Sequence, residues 1–148
     1  MITSSPAETR ALGQRIAMQL QPGDTLLLYG DLGAGKSEFT RGIALGLGIE
    51  GSIASPSFTI LNLYDEGRIP LYHFDWYRLQ DAEELFELGM DEYLNGDGIA
   101  VVEWPNRCPE AIPARRMDVT IRTVDENTRE WSFEPQGGFP PLTEGVSI

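Results

Sequence analysis

Two rhythms of apolar positions run along this chain, one helical and one strand-like. Leu12, Ile16 and Leu20 recur at helical spacing, which predicts an amphipathic helix. Ser5-Pro6-Ala7-Glu8 marks its start. Ser5 caps, Pro6 suits the first helical position, and Glu8 completes a capping box. Pro22-Gly23-Asp24 then reads as a turn. The short apolar run at 25–29 predicts a strand buried on both faces. A second helix is predicted from about Gly35 to Leu47, with Phe39, Ile43 and Leu47 as its apolar line and Gly48 as its stop. Gly42 and Gly46 each cost about 1 kcal/mol of helix propensity against Ala. They are read as sites of close helix–sheet packing.

Residues 55–64 and 69–74 read as two strands around the turn Asp65-Glu66-Gly67-Arg68, which predicts an antiparallel hairpin. Pro70 then needs an edge or strand-start position. Asp81 caps a third helix that ends near Gly89. Residues 99–102 form a second fully apolar run, another central parallel strand, closing at Glu103-Trp104-Pro105. Residues 118–123 and 129–134 flank Asp125-Glu126-Asn127 as a further hairpin. The stretch 135–148 is rich in Gly and Pro and is expected to be a flexible tail. The expected organisation is one α/β domain over 1–134, with a mixed, mostly parallel sheet flanked by helices.

Composition narrows the chemistry. The 148 residues suit one domain. Lys and Arg total 11 against 23 Asp and Glu, a net charge of −12. Such a chain repels phosphate backbones and is not expected to grip nucleic acid over a wide surface by itself. Any phosphate it binds must be held locally, by a few aimed donors. The single cysteine, Cys108, has no intrachain partner and is read as packing. No apolar run is long enough to span a membrane. The N-terminus lacks the basic-then-apolar pattern of a secretory signal, so the expected location is cytoplasmic.

Gly30-Asp31-Leu32-Gly33-Ala34-Gly35-Lys36-Ser37 matches G-x-x-x-x-G-K-[ST], between an apolar strand and a helical pattern. Each fixed position has a physical purpose. Glycines let the backbone turn and aim N–H groups at phosphate oxygens, and the helix N-terminus adds its positive dipole. Lys36 reaches the β- and γ-phosphates, and Ser37 ligates magnesium. Lys36 is also the only lysine in the chain. Phosphate loops need a carboxylate at the end of a neighbouring strand. Asp75 and Glu103 both end predicted strands: one can hold magnesium while the other orients the attacking water. With no second lysine, the N-K-x-D motif of guanine recognition cannot occur, so adenine nucleotide is favoured. His73, the only histidine, is read as structural rather than catalytic. Trp104, directly after Glu103 in a Pro-bounded turn, suits a partner or nucleotide contact.

The phosphate loop, Ser55-Pro56-Ser57-Phe58-Thr59, Tyr72-His73-Phe74-Asp75-Trp76-Tyr77-Arg78-Leu79 and Val102-Glu103-Trp104-Pro105 together resemble the bacterial TsaE family. The likeness runs from about Leu12 to Glu130. It implies a minimal P-loop NTPase fold and a magnesium-dependent ATPase, slow alone and stimulated by its partner. It further implies a part in forming threonylcarbamoyladenosine at position 37 of tRNAs, beside the TsaD–TsaB transferase pair. By position, Leu32, Gly33, Ala34, Gly35, Lys36 and Ser37 wrap the phosphates, and Ser37 and Glu103 hold magnesium. Lys36, Asp75 and Glu103 carry catalysis. Ser57, Thr59 and Trp104 form the switch and partner contacts, and Arg129 matches a nucleotide contact. Ser stands at 37 and 57 where the family often has Thr; the hydroxyl is kept.

Two alternatives share the phosphate loop. A small nucleotide-dependent kinase needs a basic lid, and only Arg115-Arg116 are adjacent basic residues here. A nucleotide-gated binding module with negligible turnover is the other.

Overall fold

The computed structural model describes residues 1–142 apart from Leu32, Ser52 and Ser57. Helix α1 (Pro6–Ala17) begins as its sequence dictates. Ser5 Oγ accepts from the Glu8 amide at 3.1 Å. The Glu8 carboxylate reaches back one residue further than a standard capping box, to the Ser4 amide at 2.9 Å. Strand β2 (Thr25–Tyr29) leads through the glycine loop into α2 (Lys36–Gly46). The chain continues through β3 (Leu61–Tyr64), β4 (Leu71–Asp75), α3 (Ala82–Glu87) and β5 (Ile99–Glu103). It closes with β6 (Arg116–Thr123) and β7 (Arg129–Gln136). A two-residue strand, β1 (Ile2–Thr3), lies on β7; two residues carry no legible period in a sequence.

These strands form one sheet in the order β1-β7-β6-β2-β5-β4-β3. The central strands β6, β2, β5 and β4 are parallel, and the outer pairings are antiparallel. The expected α/β architecture and both hairpins are therefore present. The fully apolar runs are the central strands because both of their faces are covered. Leu26, Leu28, Ile99 and Val101 pack on one side with α1 and α2 residues such as Leu12, Ile16, Phe39 and Ile43. Leu27, Ala100, Val102, Tyr72 and Phe74 pack on the other with Trp76, Leu79 and Leu85.

Three features differ from the sequence reading. Residues 55, 56 and 58–60 are not strand. Pro56 has no N–H to give a ladder, and Ile60 sits at φ 69°, which breaks extended backbone. Second, Gly42 and Gly46 serve helix–helix rather than helix–sheet packing. A Cβ at Gly42 would lie 2.2 Å from the Arg10 carbonyl oxygen, and one at Gly46 would lie 2.6 Å from the Ala17 Cβ. Gly13 answers from α1, where a Cβ would lie 2.4 Å from the Phe39 carbonyl oxygen. Third, β7 runs past residue 134, pairing Pro135 with Met117 and Gln136 with Arg116. Phe139 and Leu142 then bury themselves in the α1–α2 side of the core. The stretch expected to be loose is thus anchored as far as Leu142, and residues 143–148 lie outside those described.

The glycine contact yields a prediction whose sign is informative. In an open helix, Gly→Ala gains up to about 1 kcal/mol of propensity. At Gly42 the new methyl meets backbone, which no rotamer change relieves. Gly42→Ala is expected to cost about 2 kcal/mol net, a fall in melting temperature of roughly 4 to 8 °C. A melting temperature equal to or above that of the parent would contradict the close approach of α1 and α2.

Candidate functional site

The site lies where β2, β4 and β5 end. Gly33 and Gly35 adopt φ of 82° and 103°, in the left-handed region that glycine enters without steric cost. Gly35 is also the N-cap of α2, and no side chain among the described residues caps that helix. The contrast is informative: α1 and α3 are capped by Ser5 and Asp81. The first amides of α2 are left for an anion, and the helix dipole favours one there. A cleft of about 600 Å³ opens on them. Gly33, Gly35, Lys36 and Ser37 line it on the loop side, and Asp75, Glu103 and Trp104 line it on the strand side.

Lys36 is almost wholly buried, at 6 % exposure. Its Nζ donates to the Gly30 carbonyl at 3.0 Å and lies 4.2 Å from the centroid of the Trp104 ring. Burial pulls its pKa below the usual lysine value, while Glu103, Asp75 and Asp31 act in the opposite direction. Asp75 and Glu103 are register partners on adjacent parallel strands, so two carboxylates stand side by side. Like charges so placed repel, and the Lys36 ammonium offsets them. Asp75 Oδ1 accepts from the Tyr77 amide at 2.9 Å, and Glu103 Oε2 lies 2.6 Å from His73 Nε2.

Trp104 holds φ 57° and ψ 47°, a left-handed conformation unusual for so bulky a residue. Such backbone costs about 1–3 kcal/mol and persists only where the surroundings impose it. Its ring is held by Lys36 on one contact and by Tyr77, centroids 5.0 Å apart, on another.

The TsaE family, described as threonylcarbamoyl adenosine biosynthesis protein TsaE, matches residues 3–131 of this chain. This chain belongs to the TsaE family. The tRNA threonylcarbamoyladenosine biosynthesis protein TsaE of Bacillus subtilis is 44% identical over 146 residues, covering 98% of this chain and 91% of that protein. The protein of the same name from Treponema pallidum is 38% identical, covering 87% of this chain and 95% of its own length. The crystal structure of Bacillus subtilis YdiB superposes with a TM-score of 0.81 at 41% identity, covering 93% of this chain and 84% of that one.

Within this TsaE fold, Gly33, Gly35, Lys36, Ser37, Asp75, Glu103 and Trp104 converge on one cleft as the motifs led us to expect. Leu32 and Ser57 lie outside the described residues. The Thr59 hydroxyl bonds the Asn62 side chain at 2.7 Å, and among the described residues of that segment Ser55 lines the cleft. Arg129 directs its donors at backbone. Nε and Nη2 bond the Ala34 and Gly33 carbonyls at 3.1 and 3.3 Å, and Nη1 bonds the carbonyls of Asp125, Glu126 and Thr128. It ties the β6–β7 turn to the glycine loop. Tyr77 and Arg78 also line the cleft, although sequence reasoning gave them no role. Their position two and three residues beyond Asp75 was the available signal.

Among the described residues, no three His, Cys, Asp or Glu side chains form a metal cage. Magnesium does not need one, since it takes one or two protein oxygens and completes its shell with phosphate and water. Ser37 and Glu103 supply hard oxygens from opposite walls of the cleft, so the donor set fits that ion. No helix among the described residues is long and apolar enough to cross a membrane.

The Arg129 contacts should stiffen the loop measurably. Hydrogen bonds from a charged donor contribute about 1.5–3 kcal/mol, so Arg129→Ala should speed hydrogen exchange roughly tenfold or more at the Ala34 amide, which donates to the Asp31 carbonyl at 3.0 Å. Unchanged protection there would mean that the guanidinium does not hold the loop.

Proposed function

We propose that this chain binds ATP with magnesium in the cleft and hydrolyses it slowly, in support of threonylcarbamoyladenosine formation on tRNA by the TsaD–TsaB pair. The observation that carries the reading is the uncapped N-terminus of α2 facing Lys36, Asp75 and Glu103 across one cleft. Family membership supports the pathway, since the relatives are named for that biosynthesis. The cytoplasm, where tRNA is modified, is the expected location.

The chemistry follows from what each group can do. The amides of Gly33 to Ser37 surround the phosphates, and Lys36 exchanges the Gly30 carbonyl for a β/γ-phosphate oxygen. Its charge counts most in the transition state, where negative charge gathers on the transferred group and the leaving oxygen. Magnesium, when bound by Ser37 and Glu103, supplies further neutralisation between the phosphates. In this reading Asp75, beside Glu103 at the strand ends, orients the attacking water and accepts its hydrogen bond. Water attacks the γ-phosphorus, the bond to ADP breaks, and phosphate and ADP leave. The missing N-K-x-D motif favours adenine over guanine.

The chain carries −12 net charge, which disfavours a broad interface with the phosphate backbone of tRNA. A basic surface on the transferase pair is the better electrostatic match. The segment around Ser57 and Thr59, together with Trp104, forms the docking face whose shape nucleotide sets. A ligand shifts such an equilibrium only by binding one shape better than the other, and the γ-phosphate is the difference between ATP and ADP.

Titration against TsaD–TsaB should therefore show tighter binding with ATP than with ADP or no nucleotide, and the partner should raise phosphate release. Lys36→Ala should abolish turnover while the chain stays folded, and Trp104→Ala should weaken the coupling more than it weakens ATP binding. Equal partner affinity in all three nucleotide states would reject the switch. Unchanged turnover in Lys36→Ala would reject the assignment of the cleft.

A further inference from the structure

His73 stands in the middle of β4 at 2 % exposure. Leu71 faces the α1–α2 side of the sheet, whereas Tyr72 and Phe74 face the other. By alternation His73 and Asp75 share the face of Leu71. On β5 the same alternation puts Glu103 with Ile99 and Val101. Asp75 stands opposite Glu103, and His73 stands opposite Val101, two residues back. The imidazole thus reaches Glu103 on the diagonal, with Nε2 2.6 Å from Oε2.

Two observations set this histidine apart from a core filler. Its second ring nitrogen, Nδ1, is buried and has no hydrogen-bond partner among the described residues. With Nε2–H donating to Glu103, Nδ1 keeps only an unused lone pair, the less costly way to leave a buried nitrogen unpaired. The contact with Glu103 is then the only side-chain hydrogen bond found for the ring among the described residues. Moreover, an apolar side chain would fill the space without the penalty of burying an imidazole. Glu103, by contrast, has three rotatable bonds and a repelling neighbour in Asp75. Left alone, its carboxylate would have several rotamers available.

We infer that His73 is a positioning residue: its Nε2–H fixes one oxygen of Glu103 so that the carboxylate is presented to the metal in a single orientation. The inference rests on the proposed role of Glu103 in holding magnesium. A hydrogen-bond partner of a ligating carboxylate both orients it and limits its freedom, and loss of such partners lowers metal affinity about 10–100-fold. His73 itself touches neither nucleotide nor metal.

Calorimetric titration of ADP into the full chain, across a magnesium series and in EDTA, tests this. His73→Leu should weaken the apparent magnesium affinity about tenfold or more, with ADP affinity in EDTA unchanged. His73→Gln keeps an N–H at comparable reach and should recover most of the loss. His73→Asn, whose shorter amide falls short of Glu103, replaces the leucine variant if that one does not fold. In a Glu103→Ala background His73→Leu should add nothing, because the group it positions is gone. Parental magnesium affinity in folded His73→Leu would overturn the inference, as would an equal loss in EDTA or an additive loss beside Glu103→Ala. If Glu103→Ala alone left the magnesium dependence intact, the ion's assignment to Glu103 would fail, and the positioning role with it.

Discussion

The buried ammonium of Lys36 is the constraint on which the rest of the site depends. Taking that charge from water is unfavourable, as the lowered pKa records. It is tolerated because the Gly30 carbonyl accepts from it, the Trp104 ring covers it, and two carboxylates stand across the cleft. Each of those partners is constrained in turn. The ring is held in a left-handed backbone conformation, and the carboxylates are fixed side by side by strand register. Without the lysine, the side-by-side carboxylates of Asp75 and Glu103 would lose the ammonium that acts on both. Lys36 thus joins the glycine loop to Trp104 on the strand side of the cleft.

The fold exists to hold that constraint at the end of the sheet. Four parallel central strands end at the same edge, which delivers the loop from β2, Asp75 from β4 and Glu103 from β5 to one place. Behind the loop, Gly13, Gly42 and Gly46 let α1 and α2 approach closely enough to fix the start of α2. Arg129 then reaches from β7 to the loop's carbonyls, so the far hairpin helps to shape the site. A short buried chain of hydrogen bonds continues the same support. Trp131 Nε1 bonds Thr3, whose hydroxyl lies 2.9 Å from that of Thr9 beside Gly35.

Much of this was legible in the sequence, and the reasons are particular. The runs at 25–29 and 99–102 could be placed as central strands because a strand covered on both faces lacks alternating polar positions. The loop was legible because its glycines fall where the backbone turns left-handed, at Gly33 and Gly35, directly before the helix. What escaped was non-local. The partner of Gly42 is a carbonyl on another helix, and no spacing within α2 distinguishes that from packing on a sheet. Residues 55–60 look like strand by composition, yet Pro56 and the left-handed Ile60 end the pairing. The diagonal from His73 to Glu103 depends on which strands are neighbours, and so a lone histidine read as structural proved to touch the site.

The central claim is that Lys36 serves phosphate and that Ser37 and Glu103 serve its counter-ion. The most direct test is a crystal structure of this chain with magnesium and a non-hydrolysable ATP analogue. The account predicts β- and γ-phosphates on the amides of Gly33 to Ser37, and Lys36 Nζ moved from the Gly30 carbonyl to a phosphate oxygen. It also predicts the ion between Ser37 Oγ and Glu103. Nucleotide bound outside this cleft, or phosphates in the cleft with Lys36 still bonded to Gly30, would contradict it.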